Sequence, residues 1–62
     1  METIRMTAEE TRAYDTRDKW PSVRADLLAR AAIECRRTGR PVDIETADGV
    51  VWEQVRPEDL RA

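Results

Sequence analysis

The amino-acid sequence predicts a small α+β domain with the element order β-α-α-β-β, in which one long helix packs on a two- or three-stranded antiparallel sheet. Three observations predict this fold. A capping motif at Thr7 begins a first helix, an apolar arc ending at Gly39 marks a second helix, and Asp48-Gly49 joins two alternating apolar runs. The length of 62 residues corresponds to a single domain, 1–62.

The N-terminal residues predict a short strand and then a short helix. In the strand, Ile4 and Met6 fall on one face because side chains alternate along extended backbone. Thr7 precedes Glu10 by the spacing of a capping box, in which each side chain accepts a hydrogen bond from the other residue's backbone amide. We therefore expect a helix over about 8–14.

A second and longer helix is predicted from Trp20 to about Thr38. Gly39 is its expected end, because glycine adopts the left-handed conformation of a helix C-cap without steric cost. Either Asp18 or Ser22 could cap its N-terminus, and the sequence does not choose between them. At about 100° per residue, its apolar residues share one arc. They are Val23, Leu27, Leu28, Ala31, Ala32 and Cys35.

The segment after the long helix predicts a β-hairpin. A three-residue loop, 47–49, with its glycine in the left-handed conformation, pairs Ile44 with Trp52 and Thr46 with Val50. A two-residue turn would shift the pairing by one residue and mix apolar with charged side chains on each face. The preferred register places four residues on the core face: Val42, Ile44, Val50 and Trp52.

Two further expectations complete the fold. A two-stranded hairpin alone is marginally stable, so the N-terminal strand is expected to join it as a third strand. The long helix then covers one face of the sheet. Residues 57–60 predict a final helical turn.

The composition excludes several kinds of site. The chain has one cysteine and no histidine, so an internal disulfide cannot form and the usual zinc ligand sets are missing. Two glycines are too few for a phosphate-binding loop, and no cofactor is expected. A net charge of −2 with 39% charged residues is typical of an ordinary polar surface. Neither a signal peptide nor a membrane segment is expected, and a single thiol suits the cytoplasm.

Few residues could carry catalysis. Ser22 is interpreted as a helix-start residue, and Cys35 as a small core residue because it falls on the apolar arc. The adjacent carboxylates Glu9 and Glu10, like those of the hairpin, are typical of a solvated surface. No enzymatic activity is predicted.

Two surfaces are candidates for binding. The first is the outward face of the hairpin, here named the hairpin surface: Asp43, Glu45, Val51, Glu53 and Val55. Its valines could reflect only β-propensity and an incomplete core. Alternatively, the valines lose water against a partner protein while the carboxylates meet basic groups.

The second candidate is an arginine stripe on the long helix: Arg30, Ile33 and Arg37, with Arg36 and Arg40 nearby. Pairing of Arg30 with Asp26 and Glu34 at helical spacing could account for the charges. Ile33 is not explained by such pairing, which favours a second contact surface for carboxylates or phosphate.

Part of the chain resembles the N-terminal module of the Phd/YefM antitoxins. The matching residues are a T-x-E-E-x-R helix start (Thr7, Glu9, Glu10, Arg12) and the stretch GRPVDIETADGVVWEQVRPEDL over 39–60. The resemblance implies a dimeric DNA-binding antitoxin that regulates its own transcription. The chain departs from that family in its longer segment between Arg12 and Gly39 and in its Ala-Asp-Gly turn, where basic residues are usual in the family.

The function predicted is that of a non-catalytic protein that binds and inhibits or regulates another protein, as small phage or mobile-element inhibitors of host defence do. A domain of this size buries only about 60% of its unfolded surface, so a partner protein or a homodimer is a plausible support for its thin core. The alternative is a DNA-binding regulator that contacts phosphates through Arg36, Arg37 and Arg40. The net charge of −2 favours the first function.

Overall fold

A computed structural model describes residues 2–61 and confirms the α+β class and the predicted element order. Two helices lie between the first strand and a C-terminal hairpin, and the strands form one sheet in the order β1-β2-β3. A 3-10 turn over Pro57–Leu60 follows the hairpin, as predicted. The elements are β1 (Glu2–Arg5), α1 (Ala8–Thr16), α2 (Trp20–Thr38), β2 (Val42–Glu45) and β3 (Val51–Val55).

The sheet is mixed and not wholly antiparallel. β1 joins as the third strand, but it runs parallel to β2, with Ile4 opposite Ile44 and Arg5 opposite Glu45. The antiparallel arrangement predicted for this strand is therefore wrong. The physical reason is the connection: two helices between β1 and β2 form a crossover, which returns the chain to the end of the sheet where β1 began.

The first helix begins at the predicted capping box. The Glu10 amide donates to the Thr7 hydroxyl oxygen at 3.1 Å, and the Thr7 amide donates to the Glu10 carboxylate at 2.9 Å. The helix continues two residues beyond the predicted end, to Thr16, and Arg17 closes it in the left-handed conformation at φ 65°.

The second helix has the predicted bounds but neither predicted cap. Lys19 occupies the N-cap position with a left-handed backbone (φ 60°) and makes no side-chain capping hydrogen bond, so Asp18 and Ser22 do not cap the helix. A backbone bond from the Trp20 amide to the Arg17 carbonyl, at 3.4 Å, closes the preceding turn. At the other end, Gly39 is the C-cap at φ 70° as predicted, and its amide donates to the carbonyl of Cys35.

The core lies between α2 and the sheet. Its most enclosed side chains come from both layers, because Leu27 and Cys35 on the helix meet Val42 and Ile44 on β2. An aromatic cluster closes one end, where Trp20 stands edge-on to both Tyr14 and Trp52 with ring centroids 5.0 Å apart in each pair. The buried apolar residues are Met6, Trp20, Leu27, Ala31, Cys35, Val42, Ile44 and Val55.

The hairpin has the predicted loop, and the predicted register holds from the loop to Glu45 but not beyond it. Gly49 is left-handed at φ 88°, and the Thr46 amide donates to the Val50 carbonyl, so the three-residue loop is confirmed. A β-bulge then follows, because Ile44 lies opposite Glu53 while Glu45 lies opposite Val51. Trp52 is the additional residue of β3, and its predicted pairing with Ile44 is wrong.

Two valines have the opposite exposure to the one predicted. Val50, predicted in the core, is 63% exposed, and Val55, predicted to face outward, is only 7% exposed. Adding one residue to a strand reverses the side-chain alternation beyond it, which turns Val55 toward the core. The position of Trp52 explains why the extra residue is accommodated, because from the bulge its ring reaches Trp20 and Tyr14.

Candidate functional site

The carboxylates of the hairpin surface are held by neighbouring side chains. Arg5 on β1 donates to Glu45 at 2.8 Å, and Gln54 on β3 donates to Asp43 at 2.7 Å. The Gln54 carbonyl oxygen accepts in turn from Arg56 at 2.7 Å. These hydrogen bonds connect all three strands across the outward face. Asp43 and Glu45 are therefore less available to a basic partner than the sequence suggests.

An apolar position remains at the start of β3. Val50 and Val51 are adjacent and exposed, at 63% and 52%, and Glu53 is exposed two residues further on. The strand lies at one edge of the sheet, so no other strand of the described chain, 2–61, pairs with its outer side. We name these three residues the β3 edge surface. It retains Val51 and Glu53 from the predicted hairpin surface, loses the buried Val55, and gains Val50.

The sequence placed Val50 in the core because it pairs with Thr46, and that pairing is present, but the Val50 side chain is exposed. The Val50 amide donates to the hydroxyl oxygen of buried Thr46 at 3.2 Å, which fixes the backbone at the loop but leaves the valine side chain outside. Opposite, the Thr11 hydroxyl on α1 accepts from the Ala47 amide at 2.9 Å. The surface is therefore presented on a backbone that is held from two sides.

The two central arginines of the stripe are ion-paired. Arg30 lies 2.6 Å from Glu10 on α1 and 3.1 Å from Asp26 within α2. The predicted pair with Asp26 is confirmed, whereas Arg30 takes Glu10 in place of the predicted Glu34. Glu34 instead accepts two hydrogen bonds from Arg37, at 2.6 and 3.0 Å.

The Glu34 and Arg37 pair changes the acidity of both groups. The hydrogen bond from Arg37 lowers the pKa of the Glu34 carboxyl, and the same bond raises the pKa of the Arg37 guanidinium. Both groups stay charged near neutral pH. Arg37 is thus committed to a carboxylate of its own helix, which makes it a weaker candidate for phosphate than the sequence suggests.

Two other arginines of the stripe have no such partner. Arg36 and Arg40 are exposed near the C-terminus of α2, and neither takes part in an ion pair within residues 2–61. These two are the residues of the stripe that remain open to an anion.

Ile33 is 64% exposed and lies beside β1. It lines a shallow groove of about 260 Å³ together with Ile4, Arg30 and Glu34. We name this feature the Ile33 groove. In this groove Ile33, which the sequence singled out, lies next to the edge strand β1, and the sequence did not predict that proximity.

The groups considered for catalysis are dispersed. Cys35 is 1% exposed within the core, as predicted, and Ser22 lies on the exposed start of α2. Within the described part of the chain, no three His, Cys, Asp or Glu side chains are grouped as metal ligands would be. Over the same residues, neither helix combines the length and apolar character that crossing a bilayer requires.

Comparisons with known proteins leave the relationship to the Phd/YefM antitoxins as a prediction. The chain matches no protein-family model, no curated protein and no solved structure.

Proposed function

We propose that this chain is a non-catalytic protein that binds another protein through the β3 edge surface and thereby inhibits or regulates it. The observation that carries the proposal is the adjacent pair Val50 and Val51, each more than half exposed on a sheet edge. Two neighbouring branched apolar side chains gain free energy when a partner removes them from water. Isolated exposed apolar residues are common on protein surfaces, but two in succession at a sheet edge, on a held backbone, offer apolar contact on both sides of that edge.

The charge around the valines favours a basic partner. Glu53 is exposed beside them, and Asp48 is exposed in the loop. Acidic groups at the rim of an apolar centre increase the association rate with basic surfaces and disfavour acidic ones. The net charge of −2 acts in the same direction. We expect the partner to present an apolar depression bordered by Lys or Arg.

The size of the domain also supports a binding role. A single core of this length stabilises the fold by only roughly 3–5 kcal/mol, so a bound partner adds a useful amount. Small inhibitors and regulators carried by phages and mobile elements, including those directed at host defence, are the class of protein proposed. The unpaired thiol of Cys35 fits action in the cytoplasm.

The test is a pull-down with purified tagged protein from a lysate of the native host, followed by titration of the captured protein. Val51→Arg and Val50→Arg should each weaken binding by about tenfold or more, which is about 1.4 kcal/mol. Ala29→Arg is the matched control, because it places the same side chain on an exposed position of α2. Equal capture by all three variants would contradict the proposal.

A second candidate function, DNA binding, is favoured by Arg36 and Arg40, which form no ion pair with any residue from 2 to 61. The expected result of a mobility-shift assay is then a shifted band that weakens with salt, with a log–log slope near one per phosphate contacted. The Arg36→Ala, Arg40→Ala double variant should lose the shift, whereas Arg24→Ala, an exposed arginine elsewhere on α2, should keep it. Absence of any shift at low salt would remove this candidate.

A further inference from the structure

The outer edge of β1 carries, in a defined pattern, backbone groups that pair with no other strand among residues 2–61. The Met6 amide donates to the Glu45 carbonyl at 2.7 Å, which shows that the backbone of Met6 is turned toward β2. Because successive residues of a strand alternate, Ile4 is turned the same way, while the N–H and C=O groups of Thr3 and Arg5 point to the open edge. The edge therefore presents donors and acceptors ready to pair with another strand.

We propose that this edge is a dimer interface, at which β1 pairs antiparallel with β1 of a second copy across a twofold axis. The result is a continuous sheet of six strands, twice the three of one copy. Thr3 exchanges backbone hydrogen bonds with Arg5 of the second copy, and Arg5 with Thr3. Ile4 then lies opposite Ile4 of the second copy. This inference goes beyond the proposed function and uses a different surface from the β3 edge.

The register follows from the side chains. The twofold axis must keep the helices of both copies on the same face of the joined sheet. Residues opposite each other must therefore be both even-numbered or both odd-numbered. Pairing centred on Ile4 sets apolar against apolar. Of the two neighbouring allowed registers, the one centred on Thr3 sets Glu2 against Ile4 of the second copy, which leaves a carboxylate against an apolar side chain. The one centred on Arg5 sets two arginines opposite each other. The register centred on Ile4 is therefore preferred.

The Ile33 groove supplies the second layer of this interface. Neighbouring strands lie about 4.8 Å apart, so the two β2 strands, three spacings apart in the dimer, are separated by roughly 14 Å. Each α2 helix packs mainly on its own β2, so the two helices have a similar separation. Side chains must fill the space between them. Ile33, 64% exposed in the single chain, lies in that space above Ile4. The groove is bounded by one cation, Arg30, and one anion, Glu34.

The rim of the groove carries both signs of charge, through Arg30 and Glu34. Both charges are already paired within each copy, Arg30 with Glu10 and Asp26, and Glu34 with Arg37. Neither is therefore brought unpaired into the interface. The interface is isologous, and it closes at two copies.

The other sheet edge is less suited to self-association. The bulge at Trp52 interrupts the regular spacing of β3, and bulges of this kind protect edge strands from pairing. β1 has a regular register with β2 over its whole length, without a bulge. The regular edge, with an exposed isoleucine beside it, is therefore the one assigned to the second copy.

The first test measures mass in solution by sedimentation and light scattering over a wide concentration range. The native chain should reach twice 7.2 kDa at high micromolar concentration. Thr3→Pro removes only an outward N–H, and Ile33→Glu puts charge in the groove, so each should weaken dimerisation by about tenfold or more. Val51→Glu, the matched charge change at the other edge, should remain dimeric. Far-UV circular dichroism checks that every variant is folded.

A cysteine scan then tests the register. In the preferred register, Ile4→Cys places two thiols on a non-hydrogen-bonded pair with Cα atoms about 4.5 Å apart, within disulfide range. Mild oxidation should link these chains, and Thr3→Cys should link far less. A chain that stays monomeric at high concentration, or folded Thr3→Pro and Ile33→Glu variants that stay dimeric, would overturn the proposal. Preferential linking through Thr3→Cys would overturn the assigned register.

Discussion

Backbone conformation at single residues shows where the chain is strained. Arg17 and Lys19 both have left-handed backbones, at φ 65° and 60°, on the two sides of the sharp connection between the helices. For residues with a Cβ atom this conformation costs roughly 1–2 kcal/mol each. Arg17 has a compensating contact, because its guanidinium lies 4.6 Å from the centre of the Tyr14 ring. Lys19 makes no side-chain capping bond.

Replacing Lys19 with glycine should therefore stabilise the protein. We expect a gain of about 0.5–1 kcal/mol, since relief of the left-handed strain exceeds the additional entropy of glycine in the unfolded chain. Urea denaturation measures the change. Ala29→Gly, in the exposed interior of α2, is the control and should destabilise by about 1 kcal/mol. Equal destabilisation by both variants would show that the backbone at Lys19 is not strained.

At the scale of the elements, one ion pair within α2 gives a pH-dependent prediction. The Arg37 hydrogen bond lowers the pKa of Glu34 in the folded chain. A depressed carboxyl pKa stabilises the fold above the unfolded-state pKa, and that contribution is lost as pH falls through the folded-state pKa. The pair is exposed, so the effect on stability is small and decreases with salt.

Nuclear magnetic resonance titration of the Glu34 carboxyl carbon provides the measurement. Its pKa should lie below the ordinary glutamate value in the native chain and rise in Arg37→Gln. Arg36→Gln removes a neighbouring arginine that makes no bond to Glu34, and it should leave the depressed pKa in place. An unchanged pKa in Arg37→Gln would show that the hydrogen bond does not hold in solution.

The elements were predictable from sequence wherever their causes are local. The Thr7 capping box, the Gly39 stop and the left-handed Gly49 each depend on a few adjacent residues, and each is in its predicted place. The direction of β1 and the bulge at Trp52 depend on distant contacts. The first follows from the crossover through two helices, and the second from a ring that packs against Trp20.

For the candidate binding surfaces too, features with local causes were predictable and features that depend on distant contacts were not. Exposure of Ile33 and Val51 was predictable from their positions in a helix and a strand. The partners of the charged residues were not, because Arg5 reaches Glu45 and Arg30 reaches Glu10 across 40 and 20 residues of sequence. Judging binding residues by their charge alone therefore overrated side chains that are already ion-paired within the chain.

At the scale of the whole molecule, stability depends on very few enclosed side chains. Leu27 is fully buried between α2 and the sheet. A buried Leu→Ala change costs about 2–5 kcal/mol, which is comparable to the roughly 3–5 kcal/mol available to a single core of this size. Few other side chains are as enclosed, so the fold has little reserve.

Leu27→Ala should therefore leave the chain largely unfolded at about 37 °C, as measured by thermal denaturation. Ile33→Ala removes a similar side chain from the same helix, but at a position that is 64% exposed. It should change stability of the single chain by less than about 0.5 kcal/mol. The comparison is made at low concentration, where self-association does not contribute. Similar midpoints for the two variants would contradict the assignment of the core.

The aromatic cluster has a consequence for how the molecule absorbs light. Both tryptophans of the chain belong to it, and their rings stand edge to face at 81° with centroids 5.0 Å apart. Transition dipoles at this separation couple as an exciton pair and give paired circular dichroism bands of opposite sign. Trp20 lies on the helical layer and Trp52 on the bulge of β3, so this optical couplet is present only while the hairpin is docked on the helices.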